Sequence, residues 1–299
     1  MRTEGDSWSI TTGVGSTALY VAMARAIGGR EPDPLAVDPF AEVFVRAAGP
    51  EWVAMLDGAH SGNPVTDSEF ARVFRQFQIA RTRYFDDYFA AAMAAGIRQV
   101  VILAAGLDAR AYRLDWPDGT VVYELDRPQV LEFKRETLSA KGDKPRADRR
   151  EVAADLREDW PKALREQGFD PASPTAWLVE GLLIYLQPAA QDELFTALDA
   201  LSAAGSRVAV EQMDPLTPQD LAAIDESPES NDTGAGEWTK LIYNDPHQEV
   251  AAWLAERGWR AERTYVGDYL RTHGRSTAGL GPQARLLPAR VSLVTGIRE

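Results

Sequence analysis

The sequence predicts an α/β fold with a seven-stranded, mainly parallel sheet, helices on both of its faces and a helical extension at the N-terminus. Three observations predict it. Apolar residues recur at helical spacing up to residue 95. From Gln99 onward, short apolar runs alternate with helical segments, which is typical of a parallel sheet. The runs number seven, at 99–104, 120–125, 150–154, 175–180, 206–212, 260–266 and 290–296. The helices between them are predicted at 127–140, 159–167, 188–203 and 247–257.

The helical extension contains two clear elements. Ser16–Ile27 begins with capping residues and stops at a pair of glycines, as helices commonly do. Prolines within 31–39 interrupt the next segment. Asp67–Ala95 forms a long helix whose aromatic residues, at helical spacing, predict core packing rather than a stacking surface. We therefore divide the chain into a helical cap, 1–95, and a core, 96–299.

Two polar segments interrupt the alternation of the core. Residues 214–245 contain a turn-rich stretch, Asp225–Gly234, which predicts a loop or a lid inserted in the core. Residues 271–283 form a second polar stretch before the last strand.

The turn after the first strand and the end of the second strand form a unit typical of a nucleoside site. Gly106 lies in the turn and Asp126 ends the second strand, at the ~20-residue separation of a Rossmann-like unit. The glycine lets a ligand approach the backbone, and the acid can accept from both ribose hydroxyls. Asp126 could also cap the helix that begins at Arg127–Pro128.

The same turn holds one glycine and a carboxylate, Asp108, where a pyrophosphate needs neutral N–H donors. Such a turn disfavours a dinucleotide and suits a cationic ligand. S-adenosyl-L-methionine, with its sulfonium and ammonium, is such a ligand. The sequence therefore predicts a methyltransferase with this cofactor.

Acidic residues also follow three further strands, namely Asp155, Glu180 and Glu211. Ligands of open α/β sheets lie beyond the carboxyl ends of the strands, so these residues and Asp126 form a candidate site. Asp155 and Leu156 would contact adenine. The Asp155 carboxylate or a neighbouring backbone amide would bind the polar edge of the base, and the Leu156 side chain would pack against it. Asp155 alone could equally cap a turn.

Arginines supply the opposite charge. Arg81, in the aromatic helix, can grip the methionine carboxylate with two hydrogen bonds, or it can belong to a solvated helix face. Arg110 and Arg113 are similarly ambiguous, with Asp86 or Asp87 as structural partners.

Glu180 is the candidate catalytic residue. It could bind the cofactor ammonium, orient the acceptor or act as a general base. A carboxylate acceptor needs no base because it is ionised at pH 7, and catalysis is then mostly proximity. A phenol or alcohol needs one, for which Glu180, Glu211 and His247 are candidates.

Several sequence motifs resemble those of the leucine carboxyl methyltransferase-like family of S-adenosylmethionine-dependent methyltransferases. The resemblance extends to about residue 215. The motifs are Arg81–Asp86, Ala105–Leu114, Glu124–Pro128, Asp155–Arg157 and Glu180–Leu186, with Trp8–Gly15 and Asp38–Ala41 near the N-terminus. The resemblance implies a class I methyltransferase fold. It also implies cofactor contacts at Asp126, Asp155 and Leu156, followed by Gly106 and Arg81.

One position departs from the family pattern. Ala104 stands where members usually have glycine, and alanine disfavours the positive φ of such a turn. This departure implies a tighter turn or weaker cofactor binding.

The composition limits the classes of ligand and partner that we expect. The chain has no cysteine, which excludes disulfides and thiolate metal sites and fits a cytoplasmic location. Its three histidines are scattered, so no metal is expected. A net charge of −13 argues against nucleic acid, and no apolar run approaches the ~20 residues of a membrane span. We expect a small-molecule acceptor.

The preferred function is O-methylation of a small molecule, and a carboxylate is among the candidate acceptors. By analogy with the carboxyl methyltransferases that the sequence resembles, a protein C-terminus is another candidate acceptor. Two alternatives remain open. A nicotinamide-dependent oxidoreductase is disfavoured by the single glycine, by Asp108 and by the lack of a Tyr-x-x-x-Lys dyad. A binding protein that has lost its catalytic activity is supported only by Ala104.

Overall fold

The apolar runs pair into one sheet. The computed structural model describes residues 14–58, 65, 68–225 and 241–299. Within them the strands are β1 Gln99–Leu103, β2 Val121–Asp126, β3 Asp148–Ala153, β4 Thr175–Val179, β5 Arg207–Met213, β6 Trp259–Tyr265 and β7 Val291–Arg298. All the predicted strands are present, with ends displaced by at most two residues.

The order of the strands creates a crevice at the centre of the sheet. The order is β3-β2-β1-β4-β5-β7-β6, and every pairing is parallel except the two that β7 makes with β5 and β6. The chain moves outward from β1 to β3 and then returns to β4 on the other side of β1. Because the direction reverses between β1 and β4, the space beyond their carboxyl ends is where ligands of such sheets bind.

The helices follow the predicted alternation. They are α1 Val14–Gly28, α2 Ala41–Ala47, α3 Pro50–Leu56, α4 Glu69–Ala94, α5 Arg110–Arg113, α6 Pro128–Ala140, α7 Trp160–Glu166, α8 Pro188–Ala200, α9 Pro218–Asp225, α10 Val250–Ala255, α11 Val266–Thr272 and α12 Pro282–Arg290, with a short 3₁₀ turn at Leu183–Tyr185. In the described part of the chain, no helix combines the length and the apolar character needed to cross a bilayer.

The structure contains two helices that the sequence did not predict. Helix α9 lies inside the predicted insertion 214–245, and α12 begins at the end of the polar stretch 271–283 and extends to the last strand. The lid stays a prediction. Both helices are short, and each begins with a proline. Proline is compatible with the first position of a helix, but it does not contribute the hydrophobic periodicity from which a helix is predicted. Residues 1–13 and 226–240 lie outside the described residues, and with them most of the motif Trp8–Gly15 and of the lid core Asp225–Gly234.

Apolar residues are buried on both faces of the sheet. Val100 and Ile102 pack with α1 and α4, whereas Val101 and Leu103 pack with α7, α8 and α10. Alternate side chains of β1 therefore enter two separate cores, as expected for a parallel sheet between two helical layers. The N-terminal helices form much of the layer over one face, and the division at residue 95 stays a prediction.

A buried ion pair anchors α6 to the sheet. Lys134 Nζ lies 2.9 Å from Glu124 Oε2, and both side chains have 0% exposure. Arg149 on β3 approaches the same oxygen, with Nη2 at 2.6 Å. A charge in this position is tolerated only when it is paired. The cluster fixes the strand and the helix on either side of the turn that contains Asp126.

We predict that Lys134→Met lowers the free energy of unfolding by about 3 kcal/mol, because it leaves the buried Glu124 carboxylate with Arg149 alone. Denaturant unfolding measures the change. Lys141→Met, at the exposed end of the same helix, is the matched control and should change stability by less than about 0.5 kcal/mol. Equal effects of the two substitutions would show that the buried pair does not stabilise the fold.

Candidate functional site

Two residues with left-handed backbone bend the loop between β1 and α5. Ala104 has φ = 50° and Gly106 has φ = 46°. Ala105 N donates to Leu125 O at 2.9 Å, and Gly106 N donates to Asp126 Oδ2 at 2.7 Å. A Cβ added to Gly106 would meet only Ala104 O, at 3.9 Å, so the backbone conformation rather than crowding favours glycine here.

Ala104 adopts the conformation in which glycine would be unstrained. An L-residue in left-handed backbone costs about 1–2 kcal/mol, and the hydrogen bonds of the loop hold Ala104 there. The turn therefore forms with alanine. Its effect on cofactor affinity stays a prediction.

Asp126 holds the glycine loop and the start of α6 together. Oδ2 accepts from Gly106 N, and Oδ1 accepts from Arg127 N at 2.7 Å. The cap position of α6 is Arg127, so the prediction that Asp126 caps this helix is wrong, although its side chain binds the adjacent amide. Burial raises the pKa of Asp126, and the two N–H donors oppose that shift. A carboxylate has about four lone-pair positions, so two remain for ligand hydroxyls.

Asp155 and Leu156 follow β3 on the same side of the crevice. Asp155 accepts from Arg127 Nη2 at 2.9 Å, from Arg157 Nη2 at 2.6 Å and from Arg157 N at 3.0 Å. The hydrogen bond from Arg157 holds the pKa of Asp155 well below its ordinary value. The turn-capping role is therefore observed, and a contact with adenine stays a prediction.

Arg81 is buried between the ends of β4 and β5. Nε lies 3.0 Å from Glu180 Oε1, and Nη1 lies 2.5 Å from Glu211 Oε2. Glu211 Oε2 also accepts from Gly181 N at 3.0 Å. Although burial works against the charged form, Glu211 and Glu180 raise the pKa of Arg81. Nη1 thus donates to Glu211, whereas Nε is ion-paired with Glu180 without a hydrogen bond, and the grip on a methionine carboxylate stays a prediction.

The carboxylate of Asp108 is not the free negative charge that the sequence suggested. It accepts from Arg110 N at 2.6 Å and also pairs with the Arg110 guanidinium. Burial raises the pKa of Asp108, but the positive charge of Arg110 outweighs this effect and the net shift of the pKa is downward. The inference that this turn repels a dinucleotide through Asp108 was wrong, because an arginine two residues later folds back and neutralises it.

Arg110 continues the network in both directions. Nη1 lies 2.7 Å from Glu180 Oε2, and Nε lies 2.8 Å from Asp86 Oδ1. Asp86 also pairs with Arg113 at 2.6 Å, so the predicted partnership with Asp86 is confirmed. Asp87 instead pairs with Arg83 at the surface. One carboxylate oxygen of Glu180 contacts the guanidinium of Arg81, and the other contacts that of Arg110. Its three candidate roles stay predictions.

These strand ends enclose a cavity of about 760 Å³. All the predicted cofactor residues line it, including Ala104, Gly106, Leu156 and Glu180. Among the described lining residues, arginines and acids are equal in number, six of each, so the wall has no net charge. They are Arg25, Arg81, Arg110, Arg113, Arg127 and Arg157 with Asp38, Asp108, Asp126, Asp155, Glu180 and Glu211. Selection of a cation must therefore depend on individual carboxylates.

Helix α1 closes one side of the cavity. Tyr20 and Val21 line it, so the first helix lies close to the strand ends. Arg25 ties this helix to the glycine loop, since Nη2 donates to Leu107 O at 3.1 Å while Nε pairs with Asp38 at 3.0 Å.

One face of α4 forms another wall. It presents Phe70, Phe74, Phe77, Gln78, Arg81 and Thr82. Phe85 and Phe89, further along, are buried in the core. The prediction of core packing is confirmed, since Phe77 is also in the core and Phe70 and Phe74 pack against it while lining the cavity. Gln78 was not predicted as a site residue, although its i, i+4 spacing from Phe74 puts both on one helix face.

His247 does not line this cavity. Its Nδ1 lies 3.0 Å from Asp245 O, just before α10. A role as general base therefore has no geometric support. In the parts of the chain that the structure describes, no group of three histidine or acidic residues could hold a metal ion.

We predict that Ala104→Gly raises the free energy of unfolding by about 0.5 kcal/mol, because relief of the left-handed strain exceeds the added entropy of the unfolded chain. Ala105→Gly is the matched control. Ala105 is buried with a negative φ, so its replacement should lower stability by about 1 kcal/mol. Denaturant unfolding gives both values, and the same sign for both would contradict the assignment of strain to Ala104.

Comparison with known proteins shows the family to which the chain belongs. The family model described as leucine carboxyl methyltransferase matches residues 18–199. Proteins of Mycobacterium tuberculosis and Mycolicibacterium paratuberculosis, which carry the provisional name S-adenosyl-L-methionine-dependent methyltransferase, are 54% and 52% identical, with all of both chains covered.

A solved structure is similar in fold alone. The crystal structure of a provisionally named methyltransferase from Thermobifida fusca has a TM-score of 0.53, covers 94% of each chain and is 17% identical. The match of the family model and the full-length relatives confirm the resemblance that the sequence motifs indicated. The chain belongs to the leucine carboxyl methyltransferase family.

Proposed function

We propose that the protein transfers a methyl group from S-adenosyl-L-methionine to a carboxylate oxygen of a small molecule. The family supports methyl transfer and its name points to a carboxyl acceptor, while the curated relatives support the cofactor. The observation that carries the proposal is the Gly106–Asp126 hydrogen bond, which sets a partly free carboxylate beside an open backbone turn at the cavity wall.

The residues around this turn fit the cofactor's nucleoside. Asp126 keeps acceptor positions for two ribose hydroxyls, because its backbone partners use only part of its capacity. The open space beside Gly106 allows close approach to the backbone. Asp155 and Leu156 combine a polar and an apolar surface, which suits the edge and the face of adenine.

The residues at the ends of β4 and β5 suit the methionine moiety of the cofactor. Glu180 and Glu211 are acceptors for an ammonium, and both are already oriented by Arg81. Such orientation before binding reduces the reorganisation that binding would otherwise require. We assign Glu180 a role in binding and positioning rather than as a base.

When bound, the cofactor supplies a methyl group on a positively charged sulfur. A carboxylate oxygen of the acceptor forms the new O–C bond while the S–C bond breaks, and the electron pair of that bond returns to the sulfur. No proton moves, since the acceptor is ionised at pH 7. The chain's own contribution is to hold the acceptor in line and to exclude water, effects that together account for large accelerations.

Family membership favours this function over a nicotinamide-dependent oxidoreductase. The alternative of a binding protein without activity has lost part of its support, because Ala104 adopts the turn conformation that a glycine would adopt.

We predict that the protein binds S-adenosyl-L-homocysteine but not NAD, and that Asp126→Ala weakens this binding about 100-fold, since two hydrogen bonds to a charged acceptor are lost. Calorimetry measures binding. Base-labile methyl esters formed from labelled S-adenosyl-L-methionine and a mixture of carboxylic acids, phenols and alcohols measure the transfer.

The matched control is Asp115→Ala, because the Asp115 side chain is 97% exposed and does not line the cavity. It should bind and react like the unmodified protein. Binding of NAD in place of S-adenosyl-L-homocysteine would contradict the assigned cofactor, and label confined to base-stable ethers would contradict the carboxylate acceptor.

We predict that cofactor affinity decreases on acidification through the pKa of Asp126. Burial raises this pKa above 3.8, so the loss begins at a higher pH than for an ordinary aspartate. The sign follows because only the ionised carboxylate accepts from both hydroxyls, and protonation adds a competing donor. Calorimetric titrations at a series of pH values test it. An affinity that is constant down to the ordinary range of aspartate would contradict the role of Asp126.

A further inference from the structure

The cavity has an apolar half that the nucleoside does not require. Phe70, Phe74 and Phe77 lie on the cavity face of α4, followed by Gln78 and Arg81. From Phe70 to Arg81 this face extends over about 16 Å, at 1.5 Å per residue. Along this face, the phenylalanines are followed by Arg81, which is ion-paired at the strand ends where we place the cofactor. We refer to this part of the cavity as its charged end.

The three phenylalanines form a continuous aromatic stripe. Phe70 and Phe74 are stacked with ring centroids 6.0 Å apart, and Phe74 and Phe77 are tilted at 6.4 Å. Phe70 and Phe74 are only partly buried, so apolar surface remains for a ligand to cover. Ile184 and Leu287, from two other elements, also line the cavity.

Gln78 lies between the stripe and the charged end. The residue is 1% exposed and lines the cavity, and its Oε1 has no hydrogen-bond partner among the described residues. A buried acceptor without a partner is unfavourable, so its position points to a ligand that completes the hydrogen bonds of the amide. A carboxylate only accepts, so it would pair with Gln78 after a half-turn of the last torsion, which exchanges the oxygen for the N–H donors.

Two arginines of the cavity wall are already engaged by acids. Arg81 is held by Glu180 and Glu211, and Arg110 by Glu180 and two aspartates. A guanidinium bound to the acceptor would draw electron density from the attacking oxygen. A neutral amide instead orients one oxygen and leaves the other as a nucleophile.

We propose that the methyl acceptor is a carboxylic acid with an elongated apolar body, which lies along the stripe of Phe70, Phe74 and Phe77 and presents its carboxylate to Gln78. This inference rests on the proposed function and specifies its substrate class. Gln78 selects the carboxylate, and the stripe selects the apolar body.

The test uses the full chain, labelled S-adenosyl-L-methionine and unbranched carboxylic acids of two to sixteen carbons, with the matching alcohols and a peptide ending in leucine. Methyl ester formation should rise about two- to fourfold in kcat/KM per added methylene until the stripe is covered. Phe74→Ala should flatten this dependence, so that kcat/KM falls more for long acids than for short ones.

Gln78→Leu should raise KM for every acid at least tenfold without changing the affinity for S-adenosyl-L-homocysteine, measured by calorimetry. Gln76→Leu is the matched control, because Gln76 is two positions away on the same helix and does not line the cavity. Equal kinetics of the two variants would overturn the role of Gln78.

The outcomes separate this inference from the proposed function. Esters formed equally well from short and long acids, or preferentially from the peptide, overturn the apolar class and leave carboxyl methylation intact. Failure to methylate any carboxylic acid, in a chain that binds S-adenosyl-L-homocysteine, overturns both the substrate class and the carboxylate acceptor. Failure to bind that ligand overturns the cofactor assignment as well.

Discussion

An alternating chain of buried and half-buried charges connects the helical layer to the carboxyl ends of the central strands. Its members, in order of contact, are Arg113, Asp86, Arg110, Glu180, Arg81 and Glu211. Each group would be costly to bury alone, and each has an opposite charge on at least one side. The arrangement requires α4, α5, β4 and β5 to stay in one relative position, and the cavity forms along it.

This pairing decides how the cavity can recognise a ligand. Because its arginines and acids are equal in number and largely engaged with each other, the wall offers no broad field of one sign. Recognition then depends on the few groups with unused capacity and on apolar surface. Asp126 retains acceptor positions, Gln78 has an unpartnered oxygen, and the phenylalanines of α4 remain partly uncovered.

Local signals were sufficient for most of the elements and for the contact between the glycine turn and the end of the second strand. The separation of Gly106 and Asp126 predicted their proximity, and the structure joins them by a hydrogen bond of 2.7 Å. Both residues belong to one strand–turn–helix–strand unit, in which spacing fixes geometry. The charge of Asp108 was misinterpreted because its state depends on the conformation of one side chain, Arg110. Ala104 was recognised as unusual, and only the backbone shows that it adopts left-handed φ.

By itself the sequence determined the class of fold, the order of its strands along the chain, the family and the acids that end the strands, because hydrophobic periodicity and turn residues act over short separations. Only the tertiary structure decided which charges neutralise each other and which face of α4 meets the cavity. Arg81 and Glu211 are 130 residues apart in the chain, yet they are in contact, at 2.5 Å. Such pairings arise when the helical layer packs on the sheet, and no local pattern encodes them.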